Sequence, residues 1–221
     1  MDCWGWDDFV VVADELNRVL KPGGVIVWVV GDATIDGSET GTSFKQALYF
    51  KEIGLNIHDT MIYAKENYVP LTHNRYEQCW EYMFVFSKGK PKTFNAITVK
   101  SKNGGKVSKY CKSQTDSRQA MRSRNSDEYF ITNDTKIHPN IFTYICGQAK
   151  SGHPAPFPDE LAMDMIESWS NEGDTVLDPF MGSGTTGRLA VNMKRNFIGI
   201  EIVPRFYEIS KSRIDNTNIL W

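Results

Sequence analysis

The chain has 221 residues, 41% hydrophobic and 24% charged, with a formal net charge of −2, the composition of a soluble globular protein large enough for one sizeable α/β domain with an insertion. No apolar run approaches the ~20 residues that span a bilayer, and no basic start followed by an apolar stretch marks a secretory signal. Four scattered cysteines, Cys3, Cys79, Cys111 and Cys146, form no close pair, which argues against a zinc site and for reduced thiols in the cytoplasm.

Elements follow in order along the chain. After Asp7 or Asp8, Phe9, Val12, Ala13, Leu16, Val19 and Leu20 recur at helical spacing, and Lys21-Pro22-Gly23-Gly24 ends the helix. Val25 to Val30 is apolar without alternation, the pattern of a strand buried on both faces, and it ends at Gly31-Asp32. Ser43 is placed to cap a helix running to about Ile53, with Gly54 as its stop. Strands are predicted at Asn56–Tyr63 and Glu81–Ser87. Between Lys88 and Ser126 stand eleven basic residues and one acid, Asp116, so this stretch is +10 in a chain otherwise −12. Such a block suits a polyanion, nucleic acid first; the plainer reading is a solvated loop. Helical spacing returns after Pro158, with Leu161, Ala162, Met165, Ile166 and Trp169 on one face. A strand into Asp178, a helix over about Thr185–Met193, a strand into Glu201 and a helix opened by Pro204 complete the chain. Strands alternating with helices predict a doubly wound α/β sheet, divided as residues 1–88, an insertion over 89–150, and 151–221.

The most informative run is Thr175-Val176-Leu177-Asp178-Pro179-Phe180-Met181-Gly182-Ser183-Gly184-Thr185-Thr186. A strand ends in an acid, then a glycine-rich turn opens a helix, the place where α/β sheets bind small molecules. Gly182 and Gly184 permit positive φ and a close ligand approach. Asp178 disfavours a phosphate placed against it and suits a cofactor with an amino group. Thr185 stands where a phosphate-binding loop needs lysine. Glu201, 23 residues after Asp178, is spaced like a ribose-binding acid. A tight turn without a ligand is the bland alternative; the full run with its downstream acid favours a nucleoside cofactor.

Asp178-Pro179-Phe180-Met181-Gly182-Ser183-Gly184-Thr185-Thr186 resembles the S-adenosylmethionine motif of the amino-group DNA methyltransferases, which make N6-methyladenine or N4-methylcytosine. His153-Pro154-Ala155-Pro156-Phe157-Pro158 resembles the segment before that motif. Arg18 through Asp32 is similar to the stretch after the family's catalytic loop, and Glu81 to Lys88 to the strand before target recognition. The order matches the permuted group with a late cofactor motif. The resemblance implies that Asp178, Phe180, Gly182, Ser183, Gly184 and Thr185 hold the cofactor, that Glu201 takes its ribose and that Phe157 packs nearby. It also implies that the basic insertion reads double-stranded DNA, with no metal and no membrane involved.

The family's catalytic loop, an Asp, Asn or Ser followed by Pro-Pro and an aromatic, has no counterpart: all nine prolines are isolated. That loop accepts hydrogen bonds from the target amine and stacks on a flipped base. In the permuted order it precedes the first helix, so no catalytic residue is assigned, and the mid-sheet strand leading into the loop is expected to be absent. A truncated gene, a separate chain that supplies the piece, and a degenerate remnant, which would be a non-catalytic cofactor- or DNA-binding module, are the explanations. Asp32 and Asn140 are weak substitutes, each more simply a strand-end or turn residue. His58, His73, His138 and His153 offer no metal-ligand spacing.

Overall fold

The computed structural model describes residues 5–68, 74–109, 129–145 and 158–217. It separates into two compact units, Met1–Asn95 with Asn140–Trp221, and Ala96–Pro139. The second unit is therefore narrower than the 89–150 insertion, because residues 140–144 pair with the main sheet.

In the first unit, α1 (Trp6–Val19) opens with the Asp8 carboxylate accepting the Gly5 N–H at 2.8 Å, and Asp7 and Asp8 complement the helix dipole. β1 (Val25–Val30) follows, then a small hairpin of β2 (Thr34–Ile35) and β3 (Ser38–Glu39). α2 (Thr42–Glu52) starts after Gly41. Ser43 lies inside the helix instead of capping it: the Asp32 carboxylate takes that role, accepting the Ser43 N–H and the Thr40 hydroxyl at 3.0 Å each, and the Ser43 hydroxyl as well. β4 (Asn56–Lys65) and β5 (Trp80–Ser87) form an antiparallel pair. With β10 (Ile141–Tyr144) they give a mixed sheet in the order β1-β5-β4-β10, where only β10 and β4 are parallel. The α/β architecture is as expected, but this part of the sheet is mixed because β5 returns directly beside β4.

Phe9 and Ala13 of α1, Ala47 and Phe50 of α2, Leu55, Trp28 of β1 and Phe84 and Phe86 of β5 form one core. Phe9, Phe50 and Phe86 are fully buried, each contributing roughly 1.5–3 kcal/mol relative to exposure. The Trp28 indole N–H is satisfied inside this core by Gln46 Oε1 at 2.9 Å. β1 departs from its predicted burial: only Trp28 is buried and the other five residues are half-buried, since β1 is an edge strand.

The rest of the first unit is α3 (Asp159–Trp169), β11 (Thr175–Asp178), α4 (Thr185–Asn192), β12 (Asn196–Gly199) and α5 (Pro204–Asp215). β11 and β12 are parallel and form a separate two-stranded sheet. Ala162 and Ile166 of α3 pack with Leu189 and Ala190 of α4 over Val176 and Phe197. Among the described residues β1 and β11 are not hydrogen-bonded to each other.

In the second unit β6 (Thr98–Lys100) pairs with β9 (Thr135–Ile137), and β7 (Val107–Lys109) with β8 (Tyr129–Ile131), both antiparallel and nested. Lys100, Lys102, Lys106 and Lys136 are exposed. Lys112, Arg118, Arg122 and Arg124 lie outside the described residues.

Candidate functional site

β11 delivers Asp178 to the end of its strand, and the next seven residues fold back over it. One Asp178 oxygen accepts the Phe180 N–H at 3.0 Å, and the Thr186 hydroxyl also bonds to this carboxylate. The Met181 N–H donates to the Ile200 carbonyl at 3.0 Å, tying the turn to the residue after β12. Glu201 then braces it: one carboxylate oxygen accepts the Gly182 N–H at 2.9 Å and the other the Val203 N–H at 2.8 Å. Gly182 and Gly184 adopt φ of 50° and 79°.

Local sequence assigns both glycines to ligand clearance, and for Gly184 the packing says otherwise. A Cβ there would lie 2.8 Å from Ser210 Cβ and 3.0 Å from Ser210 Cα, so the missing side chain lets α5 approach. Ser183 and Thr185 are buried, whereas Phe180 is 53% exposed. Arg213, not among the sequence candidates, donates from Nη1 to the Ser183 carbonyl at 2.6 Å and to its hydroxyl at 2.9 Å. A lone arginine in an amphipathic helix carries no signal for that contact; only the fold brings α5 beneath the turn.

Burial pushes the Asp178 carboxyl above the usual carboxylate range, and the Glu201 charge pushes the same way; the Thr186 hydroxyl and Phe180 N–H offset part of this. Among the described residues neither Asp178 nor Glu201 has an ion-pair partner. Two carboxylates at one turn repel a phosphate and attract a cation. The donor set therefore fits a nucleoside that bears a sulfonium and an ammonium group. Asp178, Phe180, Gly182, Ser183 and Thr185 line a cleft of about 1170 Å³; Glu201 is not on its wall.

The remaining sequence candidates fall elsewhere. Phe157 and the segment from His153 to Phe157 lie outside the described residues, as does His73. Asp32 is held by its helix-capping bonds. Burial pushes its carboxyl up, but the hydrogen bonds from Ser43 and Thr40 outweigh that and hold it below the usual range. Asn140 donates to the Thr60 carbonyl at 3.0 Å and accepts the Ile62 N–H, a strand-entry role. The His58 ring packs on Trp169, and no metal-ligand cluster exists among the described residues. No described helix is long and apolar enough to cross a membrane.

A strand-end acid, a glycine turn braced by a second acid and a parallel strand pair define a nucleoside-cofactor site of the Rossmann-like class. Residues 5–212 match the N6/N4 family of DNA methylases, and the chain belongs to that family. It is 46% identical over 220 residues to the orphan methyltransferase M.BamHII of Bacillus amyloliquefaciens, covering 96% of this chain and 83% of that protein. It is 32% identical to the type II methyltransferase M.MjaI of Methanocaldococcus jannaschii, covering 92% of this chain and 65% of that one. Among solved structures, the M1.HpyAVI–SAM complex superposes with a TM-score of 0.64 at 25% identity, over 93% of this chain and 81% of its own. The cytosine-N4-specific PvuII methyltransferase shares the fold, with a TM-score of 0.70 at 22% identity over 96% and 71%. S-adenosylmethionine is accordingly the cofactor and DNA the substrate of this family.

Proposed function

We propose that this chain is a methyltransferase, or the larger part of one, acting on the exocyclic amine of adenine or cytosine in double-stranded DNA. Asp178, Phe180, Gly182, Ser183 and Thr185 line the S-adenosylmethionine pocket, while Gly184 lets α5 support the turn and Glu201 braces it from below. The observation that carries this reading is the convergence of Asp178 and Glu201 on one turn without a cationic partner among the described residues. The bound cofactor supplies an electrophilic methyl group on its sulfonium. This chain's part is to neutralise that positive charge at Asp178, to present the exposed Phe180 ring beside it, and to fix the turn through Arg213. Residues 89–150 form the DNA-recognition region, with Lys100, Lys102, Lys106 and Lys136 meeting phosphates.

Calorimetry with S-adenosylmethionine tests the site. Asp178→Ala is expected to weaken binding at least tenfold, since removing one partner of a buried charged contact costs about 2 kcal/mol or more. Unchanged affinity would remove the assignment. Residues 1–221 alone are expected to transfer little labelled methyl to duplex DNA, and robust transfer would show that a residue within them receives the target amine.

A further inference from the structure

The second unit carries a two-stranded ribbon that is interrupted at its middle. β6 pairs with β9 and β7 with β8, but between the two pairs six residues, 101–106, stand opposite three, 132–134. The excess is folded into two consecutive turns. The Gly104 N–H donates to the Ser101 carbonyl at 3.3 Å, and the Lys106 N–H to the Asn103 carbonyl at 3.1 Å. Both feet of the excursion are tied to the opposite strand. The Ser101 N–H donates to the Asp134 carbonyl at 2.7 Å, the Gly105 N–H to the Thr132 carbonyl at 2.9 Å, and the Thr132 N–H to the Lys106 carbonyl at 3.0 Å. Two glycines permit this path: Gly105 has φ of 73°, and a Cβ on Gly104 would lie 2.8 Å from Asp134 Cα. Extra residues in one strand of a pair re-aim side chains.

The side chains re-aimed here are polar and cationic. Residues 98–109 hold four lysines and no acid. Lys102, Asn103 and Lys106 are exposed, and the Lys106 ammonium donates to Asn103 Oδ1 at 3.1 Å. An ammonium only donates, so the amide oxygen must face it; turned over, the amide would set its NH2 against another donor. Lys106 therefore fixes which way Asn103 points. One lone pair of Oδ1 is taken and one is left, next to the N–H groups of Nδ2. The amide thus offers an acceptor and a donor side by side. A phosphate, which has only acceptors, makes no use of the oxygen. The major groove admits a two-stranded ribbon, and there adenine shows the complement, its N6 donor next to its N7 acceptor. Guanine shows two acceptors, N7 and O6, one of which would face the oxygen.

We propose that the turn at Lys102-Asn103 enters the major groove and that Asn103 reads an adenine of the recognition sequence. Oδ1 accepts from adenine N6 and Nδ2 donates to N7. Lys106 is a positioning residue that holds the amide in this orientation, and its remaining N–H groups stay available to a phosphate. This inference rests on the DNA-recognition role proposed above for the insertion, and it names the side chain that distinguishes one base from another. Lys100, Lys102 and Lys136 grip the backbone without discriminating.

The test is selection from a randomised duplex library by the full chain, with the bound pool sequenced. The wild-type pool is expected to carry adenine at one fixed position. Asn103→Ala is expected to lose that preference fivefold or more and to keep the others. A duplex with 7-deazaadenine at that position pairs normally but lacks the N7 acceptor. It is expected to bind the wild type at least fivefold more weakly than the adenine duplex, and to bind Asn103→Ala no differently. Lys106→Met is expected to lose the same preference with Asn103 still in place. Lys136→Ala is the control: its affinity falls alike for every sequence and its salt slope drops by about 1, with the preference intact. Urea midpoints of these surface variants are expected to match the wild type. The assignment is overturned, with DNA kept as the partner, if the wild type binds without any preferred sequence, if its preference survives Asn103→Ala, if the lost preference is for another base, or if 7-deazaadenine is tolerated. Preference retained in Lys106→Met overturns the positioning role. A chain that binds no duplex overturns the DNA-recognition reading of the insertion itself, and this inference with it.

Discussion

Replacing Gly184 by alanine separates two costs that the cofactor turn imposes on its backbone. The first is conformational: Gly184 sits at φ 79° and ψ 28°, the left-handed region, where an L-residue with a Cβ loses roughly 1–2 kcal/mol. The second is packing: the new Cβ would lie 2.8, 3.0 and 3.2 Å from Ser210 Cβ, Cα and carbonyl oxygen, well inside ordinary carbon contact at 3.5–4.0 Å. Ser210 is fully buried in α5, so the obstacle is helix backbone and cannot swing aside, and overpacking of this kind costs about 1–3 kcal/mol. Gly184→Ala should therefore destabilise the chain by roughly 2–5 kcal/mol. Gly173 is the control: its φ is 85°, yet a Cβ added there would meet nothing within 4 Å, so Gly173→Ala should lose only the conformational part, about 1–2 kcal/mol. Urea denaturation of both variants gives the difference directly. Equal losses would refute the argument that Gly184 exists to admit α5. The cofactor affinity of Gly184→Ala should fall as well, because the turn is tied to α5 through Arg213 and Ser183.

Two further outcomes concern the acids. Asp32→Ala removes the cap of α2 and is expected to cost about 1–2 kcal/mol at neutral pH. Because the folded-state pKa of Asp32 is depressed, its contribution is present above the unfolded value and lost as pH falls through the folded one. The gap between wild type and variant should therefore shrink in acid, and a gap equal at pH ~3 and ~7 would remove the charge from the explanation. Asp178 has the opposite sign: its pKa is raised in the fold, so its favourable contribution is complete in acid and lost as pH rises through the folded value. Asp178→Asn should then be more stable than wild type at neutral pH without cofactor, while wild-type affinity for S-adenosylmethionine rises over the same pH interval as the carboxylate ionises. A less stable Asp178→Asn chain at neutral pH would count against the burial argument.

Local pattern carried most of the elements. Apolar residues at helical spacing marked α1 and α3 to within about three residues, and Pro204 fell at the start of α5 as expected. The run from Asp178 to Thr186, with Glu201 downstream, marked the strand-end turn that is proposed to hold the cofactor. These features depend on backbone preferences and periodicities within a dozen residues, which neighbours in sequence are enough to set. What packs beside what was beyond that reach. Val25–Val30 read as a strand covered on both faces, and its apolar character suits that environment, yet β1 lies at a sheet edge. Ser43 had the side chain of a cap, but Asp32, eleven residues earlier, arrives by tertiary folding and takes the role. The missing Cβ of Gly184 looked like space for a ligand until α5 closed over it. Strand order was the sharpest case. Nothing local tells that β1 pairs with β5 and β11 with β12, because strand adjacency is set by hydrogen bonds between residues far apart in sequence.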